Sequence, residues 1–187
     1  IMRIISGYLR GRKITQPNNK LTRPLKDLMK ESIFNILQHS NLISFSLEKS
    51  KILDLFSGVG SFGLECISRG AQNVIFCENY SEAIKILKKN ITNLKCHQKT
   101  QIITKNIFNI KNLNQFHKKK FEIIFLDPPY KEKKLTNLLD DILSLKLLKN
   151  NGIIIIHRHK KEEEIYPKKF KILKIKTYGI SKIIFGN

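Results

Sequence analysis

No apolar run in the chain approaches the roughly 18 residues that a membrane-crossing helix needs. The amino-terminal stretch also lacks the apolar core and small-residue cleavage site of a secretory leader. A cytoplasmic protein with no membrane partner is therefore expected. Cysteine is scarce: Cys66, Cys77 and Cys96 stand apart, with no CxxC pair and no Cys/His spacing. That excludes a zinc motif or a disulfide framework, and two of the three fall in apolar stretches, where a reduced thiol packs as a small hydrophobe. No metal is expected. Internal repeats and low-complexity linkers are missing too, and 187 residues suffice for one α/β domain but not for two ordinary ones.

What the chain has in excess is positive charge. Lys and Arg total 35 against 15 Asp and Glu, a formal charge of +20. Such a balance points to nucleic acid or an anionic surface. Lysine, isoleucine and asparagine are abundant throughout, as AT-biased coding produces, so lysine number alone decides little. Arginine placement decides more. Of the six arginines, Arg3, Arg10, Arg12 and Arg23 precede residue 24, leaving only Arg69 and Arg158. Guanidinium groups grip phosphate through a planar fork, so the first four are read as an RNA footprint that binds phosphate. The lysine-rich runs at 118–120 and 131–134 read as solvated loop or helix ends.

Residues 3–6 and 12–15 read as short strands around Gly7 and Gly11, a basic β-hairpin. A helical period follows from Leu25 to Leu37, with Pro24 at its first turn. Strand and helix then alternate: strand 51–56, helix 61–68, strand 73–77, helix 81–94 capped by Ser81, strand 101–104, a weak segment 107–116, strand 121–126, helix 135–148 and strand 152–156. This alternation predicts a mostly parallel sheet covered on both faces. Strands 170–177 and 180–185 have no room for a crossover helix between them and should be antiparallel neighbours, giving seven strands.

Gly58, Gly60 and Gly63 form a G-x-G-x-x-G between the first strand and the next helix. The spacing suits a dinucleotide pyrophosphate or S-adenosylmethionine. Asp54, at the carboxyl end of that strand, favours the second, because a carboxylate repels pyrophosphate and welcomes an ammonium. Glu78 ends the second strand, twenty residues after Gly58, where an acid can accept from ribose hydroxyls.

Asp127-Pro128-Pro129-Tyr130 follows the fourth strand. Two prolines and an aspartate make a good turn, but this one returns to the glycine loop's neighbourhood. An exocyclic base amine is a poor nucleophile, because its lone pair is delocalised into the ring. The Asp127 carboxylate and the Pro128 carbonyl can accept its two protons and hold its nitrogen in line for attack. The Pro129 ring stiffens the turn, and Tyr130 can stack on an extruded base.

These residues resemble those of the RsmD-type bacterial methyltransferases, which make N2-methylguanine in small-subunit ribosomal RNA. The resemblance runs through Met2–Gly7, Arg10–Lys13, Arg23-Pro24, Lys30–Leu37, Asp54–Gly60, Gly63–Glu65, Ser68–Ala71, Leu126–Tyr130 and Tyr178-Gly179. It implies a class I S-adenosylmethionine-dependent methyltransferase fold, Rossmann-like, with a seven-stranded, mostly parallel sheet, a terminal antiparallel hairpin and an amino-terminal hairpin-and-helix extension. Residues 1–187 then form one domain, with an RNA-binding extension at 1–40 and a catalytic core at 51–187. By position, Asp54, Gly58 and Gly60 meet the cofactor's methionine end, Glu78 its ribose, and Asp127 to Tyr130 the guanine, with Phe56 also counted in the cofactor site.

The implied partner is small-subunit ribosomal RNA or the assembling small subunit, met by a monomer. Two positions depart from the family. Asn106 stands by the adenine where Asp is usual, and the fifth strand runs into His157-Arg158-His159 where an acid is usual. His157 reads as a solvated strand end or a basic RNA contact. Amino-methylation of adenine, cytosine or a protein glutamine remains the nearest alternative. An RNA-binding assembly factor without catalysis is the alternative of another class, and a nicotinamide dehydrogenase would share only the glycine loop.

Overall fold

The structure, a computed structural model, describes residues 2–17, 27–129 and 132–187. Pro24, Arg23 and Tyr130 lie outside these described residues. Behind the amino-terminal arm come α1 (Asp27–His39), β1 (Lys51–Leu55), α2 (Ser61–Ser68), β2 (Asn73–Cys77), α3 (Ser81–Leu94) and β3 (Thr100–Ile103). The chain continues through α4 (Ile110–Asn114), β4 (Phe121–Leu126), α5 (Leu135–Ser144), β5 (Leu148–His159), β6 (Ile172–Tyr178) and β7 (Ser181–Gly186).

The seven strands form one sheet in the order β3-β2-β1-β4-β5-β7-β6. β1 to β5 are parallel, and β7 is antiparallel to both neighbours, as the absence of a crossover helix requires. The chain builds outward from β1 to β3 and then returns to place β4 on the other side of β1. Loops leaving the carboxyl ends of β1 and β4 therefore diverge, which opens a crevice between them.

Alternation along the strands divides the apolar side chains between two cores. Ile52, Phe76, Phe125 and Ile155 pack with the arm, α1, α2 and α3, and Leu53, Leu126 and Ile154 pack with α4 and α5. On the first face Phe34 of α1 stacks on Phe62 at 5.4 Å, which stacks on Phe125 at 4.0 Å. The three cysteines are buried and unpaired in these layers. No helix among the described residues is long and apolar enough to cross a membrane.

Several boundaries differ from the sequence expectation, each for a local reason. The arm pairs antiparallel but contains a single bridge, Arg3 with Lys13, instead of two strands. The amides that would extend a ladder are used elsewhere: Ile5 and Ser6 donate to Glu65 at 2.8 and 2.9 Å, and Leu9 to Ser68 Oγ at 3.0 Å. Ser81 is the first helical residue of α3, not its cap; Tyr80 holds the cap position, and its hydroxyl donates to Glu82 at 2.9 Å instead of capping an amide. α5 stops at Ser144, and Lys146 takes a left-handed φ of 51°. That turn frees Leu148 to begin β5, which runs for 12 residues instead of the expected five.

Candidate active site

Register brings the site together. Cys77, Leu55 and Leu126 are aligned across β2, β1 and β4, and Leu126 is aligned with Ile156 of β5. One residue further along each strand stand Glu78, Phe56, Asp127 and His157, four neighbours in a row on the carboxyl edge. Asp54 lies one step inside β1, buried.

Asp54 Oδ2 accepts the Gly63 amide at 3.0 Å and so ties α2 to the strand. Its Oδ1 is buried with no hydrogen-bond partner among the described residues, and the nearby Ser57 hydroxyl is in the same position. Native proteins rarely leave such atoms unsatisfied, so the pair marks a place for a polar ligand group. Burial pushes the Asp54 carboxyl well above the usual carboxylate range, and the charges of Asp127 and Glu78 push it further. Three acids thus converge on one edge of a chain whose formal charge is +20. The electrostatics call for a cation. Among the described residues no cluster of three or more His, Cys, Asp or Glu has metal-holding geometry.

Glu78 arranges the loop. Its Oε2 accepts from Gly58 N at 2.8 Å, and its Oε1 from Asn79 N and Tyr80 N, both at 2.9 Å. A carboxylate has about four lone-pair sites, so one remains for a further donor. Gly58 holds a left-handed φ of 54°, and a Cβ there would face open space, leaving its backbone open to a ligand. Gly63 has a different reason: a Cβ would lie 2.3 Å from the Phe76 ring, so only glycine lets α2 sit this close to β2. Gly60 is the residue from which α2 starts.

Phe56 also takes a left-handed φ, 60°, a strained backbone for a phenylalanine. Its ring packs on Phe108 at 5.3 Å. The two rings, with Glu78, Asn106, Pro129 and Lys134, line a cleft of about 350 Å³. Asn106 turns its Oδ1 to the Phe108 amide at 3.0 Å, which folds the loop under the cleft.

His157 is neither solvated nor a surface cation, contrary to the sequence reading. It is 3% exposed, and its Nδ1 lies 2.8 Å from Asp127 Oδ1. The strand continues past Ile156 because it pairs with β7, and the β4–β5 register sets the ring beside Asp127. Arg158 is buried as well. It donates to the Pro129 carbonyl at 3.0 Å and the Glu132 carbonyl at 3.1 Å, and its Nε donates to Glu164. Adjacent residues of one strand thus hold the front and the back of the Asp127-Pro128-Pro129 turn.

Among the described arginines, Arg3 lies toward the carboxyl edge, because Lys30 Nζ donates to its carbonyl at 2.8 Å and to Ser61 Oγ at the start of α2, whereas Arg10 and Arg12 lie elsewhere. Arg3, Arg10 and Arg12 are exposed, but the Gly7–Gly11 turn docks on Ser68, where Tyr8 N donates to the Ser68 carbonyl at 2.9 Å. Ser68 ends α2, and α2 runs back from the carboxyl edge to the start of β2. Arg10 therefore stands toward the amino edge, at the opposite ends of the strands from Asp127. Arg12 donates to the Asn93 carbonyl at 2.9 Å, at the carboxyl end of α3 and on the same edge.

The family model described as Conserved hypothetical protein 95 matches residues 2–187. The chain belongs to this family, the RsmD-type methyltransferases. Ribosomal RNA small subunit methyltransferase D of Haemophilus influenzae is 36% identical over 186 residues, 96% of this chain and 90% of that protein. The protein of that name from Buchnera aphidicola subsp. Acyrthosiphon pisum is 36% identical over 176 residues, 92% and 86% of the two chains. A solved methylase from Haemophilus influenzae superposes with a TM-score of 0.74 at 30% identity, covering 99% of this chain and 97% of the other. A methyltransferase solved with SAH shares the fold, with a TM-score of 0.62 at 17% identity over 81% of this chain and 48% of that one. The RsmD-type chain described here thus has the class I methyltransferase fold, with strand order and terminal antiparallel strands as its sequence implied.

Proposed function

We propose that this chain transfers a methyl group from S-adenosylmethionine to the exocyclic N2 amine of a guanine in small-subunit ribosomal RNA. The observation that carries the reading is Asp127, a strand-end carboxylate fixed on one oxygen by His157 and set in one row with Phe56 and Glu78. The relatives named as small-subunit rRNA methyltransferases support the substrate class.

The residues present fit the cofactor. Its amino-acid end offers an ammonium for Asp54 Oδ1, and its sulfonium adds a second positive charge where three acids meet. The last lone pair of Glu78 takes a ribose hydroxyl, and Phe56 and Phe108 flank the space for the adenine. When bound, the cofactor supplies an electrophilic methyl group on sulfur. The chain's own residues do the rest. Asp127 Oδ2 accepts one proton of the target amine and the Pro128 carbonyl the other, which returns lone-pair density to nitrogen and aims it at the methyl group. Asp127 then receives the proton that the methylated nitrogen sheds.

Replacing Glu78 by alanine removes both the ribose acceptor and the tie on Gly58. The expected loss in cofactor affinity is about 1–3 kcal/mol, roughly 5- to 150-fold. RNA affinity should stay near wild type. Calorimetry showing unchanged cofactor binding would take Glu78 out of the site.

His157 acts through Asp127 and is a positioning residue. His157→Leu should lower kcat by about 10²-fold, the scale for a misplaced reacting group, with little change in the cofactor's Kd. His157→Asn, which keeps a donor near the Nδ1 position, should recover most of that loss. Equal activity of both variants and wild type would show that the 2.8 Å contact does not matter to turnover.

The function itself is tested in cells. Small-subunit RNA from a strain lacking this chain should be short of one N2-methylguanosine, restored by the wild-type gene. RNA with its full complement of methylated guanosines would rule the reading out.

A further inference from the structure

The amino edge of the sheet, opposite Asp127, carries a cleft that the active site does not use. Lys51 opens β1, Lys99 precedes β3, Lys118, Lys119 and Lys120 precede β4, and Lys149 lies at the start of β5. In a parallel sheet these positions fall on one edge, and the six lysines line a single concavity of about 470 Å³.

One carboxylate answers them. Glu122 is paired with Lys149 and accepts the Lys51 amide at 2.7 Å. Burial alone would raise its carboxyl, but the Lys149 contact and the Lys51 amide outweigh that and hold it below the usual range. Lys120 donates to the Lys146 carbonyl. Lys51, Lys99, Lys118 and Lys119 form no ion pair with any acid among the described residues. Cations inside a concavity reinforce one another's potential more than the same charges on a convex face.

The cleft does not stand alone. Lys99 Nζ lies 5.4 Å from the centroid of the Tyr8 ring, and Tyr8 is 61% exposed. Tyr8 and Arg10 belong to the turn docked on Ser68, so the arm tip and the cleft form one continuous basic face with an aromatic ring exposed in it. A polyanion that also presents flat apolar rings suits this combination. That is RNA: phosphates for the lysines and Arg10, a base for Tyr8.

We propose that this amino-edge face is a second RNA-anchoring surface, separate from the catalytic edge and about 20 Å from it along β4 at roughly 3.3 Å per strand residue. The proposal rests on the reading of the chain as an RNA methyltransferase. It gives the arm tip a role that its distance from Asp127 otherwise leaves open. An RNA engaging both edges must extend well past the target nucleotide, so a short hairpin carrying only the target reaches the catalytic edge alone.

The test uses the full chain with Lys99, Lys118 and Lys119 replaced together by glutamine. Binding of small-subunit ribosomal RNA is measured by anisotropy between about 50 and 200 mM salt, the range over which counterion release shows most clearly. The log–log slope should flatten by about 2, at roughly 0.7–0.9 per lost phosphate contact, and affinity at the lower salt should fall at least about tenfold. Turnover on the short hairpin, cofactor affinity and melting temperature should match wild type. An unchanged salt slope overturns the proposal. So does displacement of the bound RNA by millimolar inorganic phosphate from wild type, which would mark a small-anion site. The functional reading fails separately: a wild-type chain that binds RNA with this lysine-dependent slope but methylates none would refute the methyltransferase assignment and leave the anchoring surface standing.

Discussion

Asp127→Ala is expected to reduce methyl transfer by about 10³-fold, within the range for removing a group that orients the nucleophile and takes its proton. Cofactor binding should persist, since Asp54, Glu78 and the glycine loop do not depend on this side chain for their contacts. The loss should fall on kcat, because the interaction with the amine strengthens only as nitrogen attacks. Removing the carboxylate also lowers the negative charge facing Asp54, whose carboxyl Asp127 helps to raise. Cofactor affinity should therefore change little, and in the weaker direction if it moves, because less negative potential meets the ligand's positive charges. Single-turnover rates near wild type would contradict the assignment.

The largest effect on stability is expected at Glu65, far from the chemistry. Its carboxylate is fully buried and accepts the Ile5 and Ser6 amides and Arg69 Nε, with Lys30 Nζ at 3.8 Å. Lys30 is itself buried, and burial lowers its ammonium below the usual lysine range while Glu65 pulls it back. Glu65→Ala strands a guanidinium and two amides at once and takes one of two acids from Lys30, which keeps Asp27 at 3.4 Å and the Arg3 carbonyl at 2.8 Å. Breaking a buried pair by removing one partner costs about 3–5 kcal/mol. For a chain of this size that corresponds to a melting temperature lower by about 6–20 °C. The arm, held through those amides, should become accessible to protease before the rest of the chain. A thermal melt within a degree or two of wild type would show that the Glu65 network adds little.

The sequence announced the glycine loop and its flanks in detail. β2, α2 and β4 lie where the residues placed them, because glycine, proline and strong apolar periodicity punctuate all three. Asp54, Glu78 and Asp127 were legible for a related reason: each sits at or near the end of a strand that its own local pattern defines. His157 was not legible. Its partner is 30 residues away, and only the β4–β5 register, a tertiary fact, makes them neighbours. Arg158 and Glu65 were hidden in the same way, since a charged residue carries no local sign that it will be buried and paired. Arg10 and Arg12 show the reverse: neighbours of Arg3 in sequence, they part from it in space, because the arm lies along α2, which carries its tip to the far edge of the sheet. Two side-chain contacts, Ser68 to Leu9 and Asn93 to Arg12, record where it went.

The purified chain is incubated with S-adenosylmethionine carrying a labelled methyl group and with small-subunit ribosomal RNA from a strain lacking the gene, and the RNA is digested and its nucleosides resolved by mass spectrometry. Label is expected in N2-methylguanosine alone, approaching one per RNA and absent with Asp127→Ala. Label in a methylated adenosine or cytidine, or no label in any nucleoside, would contradict the proposed function.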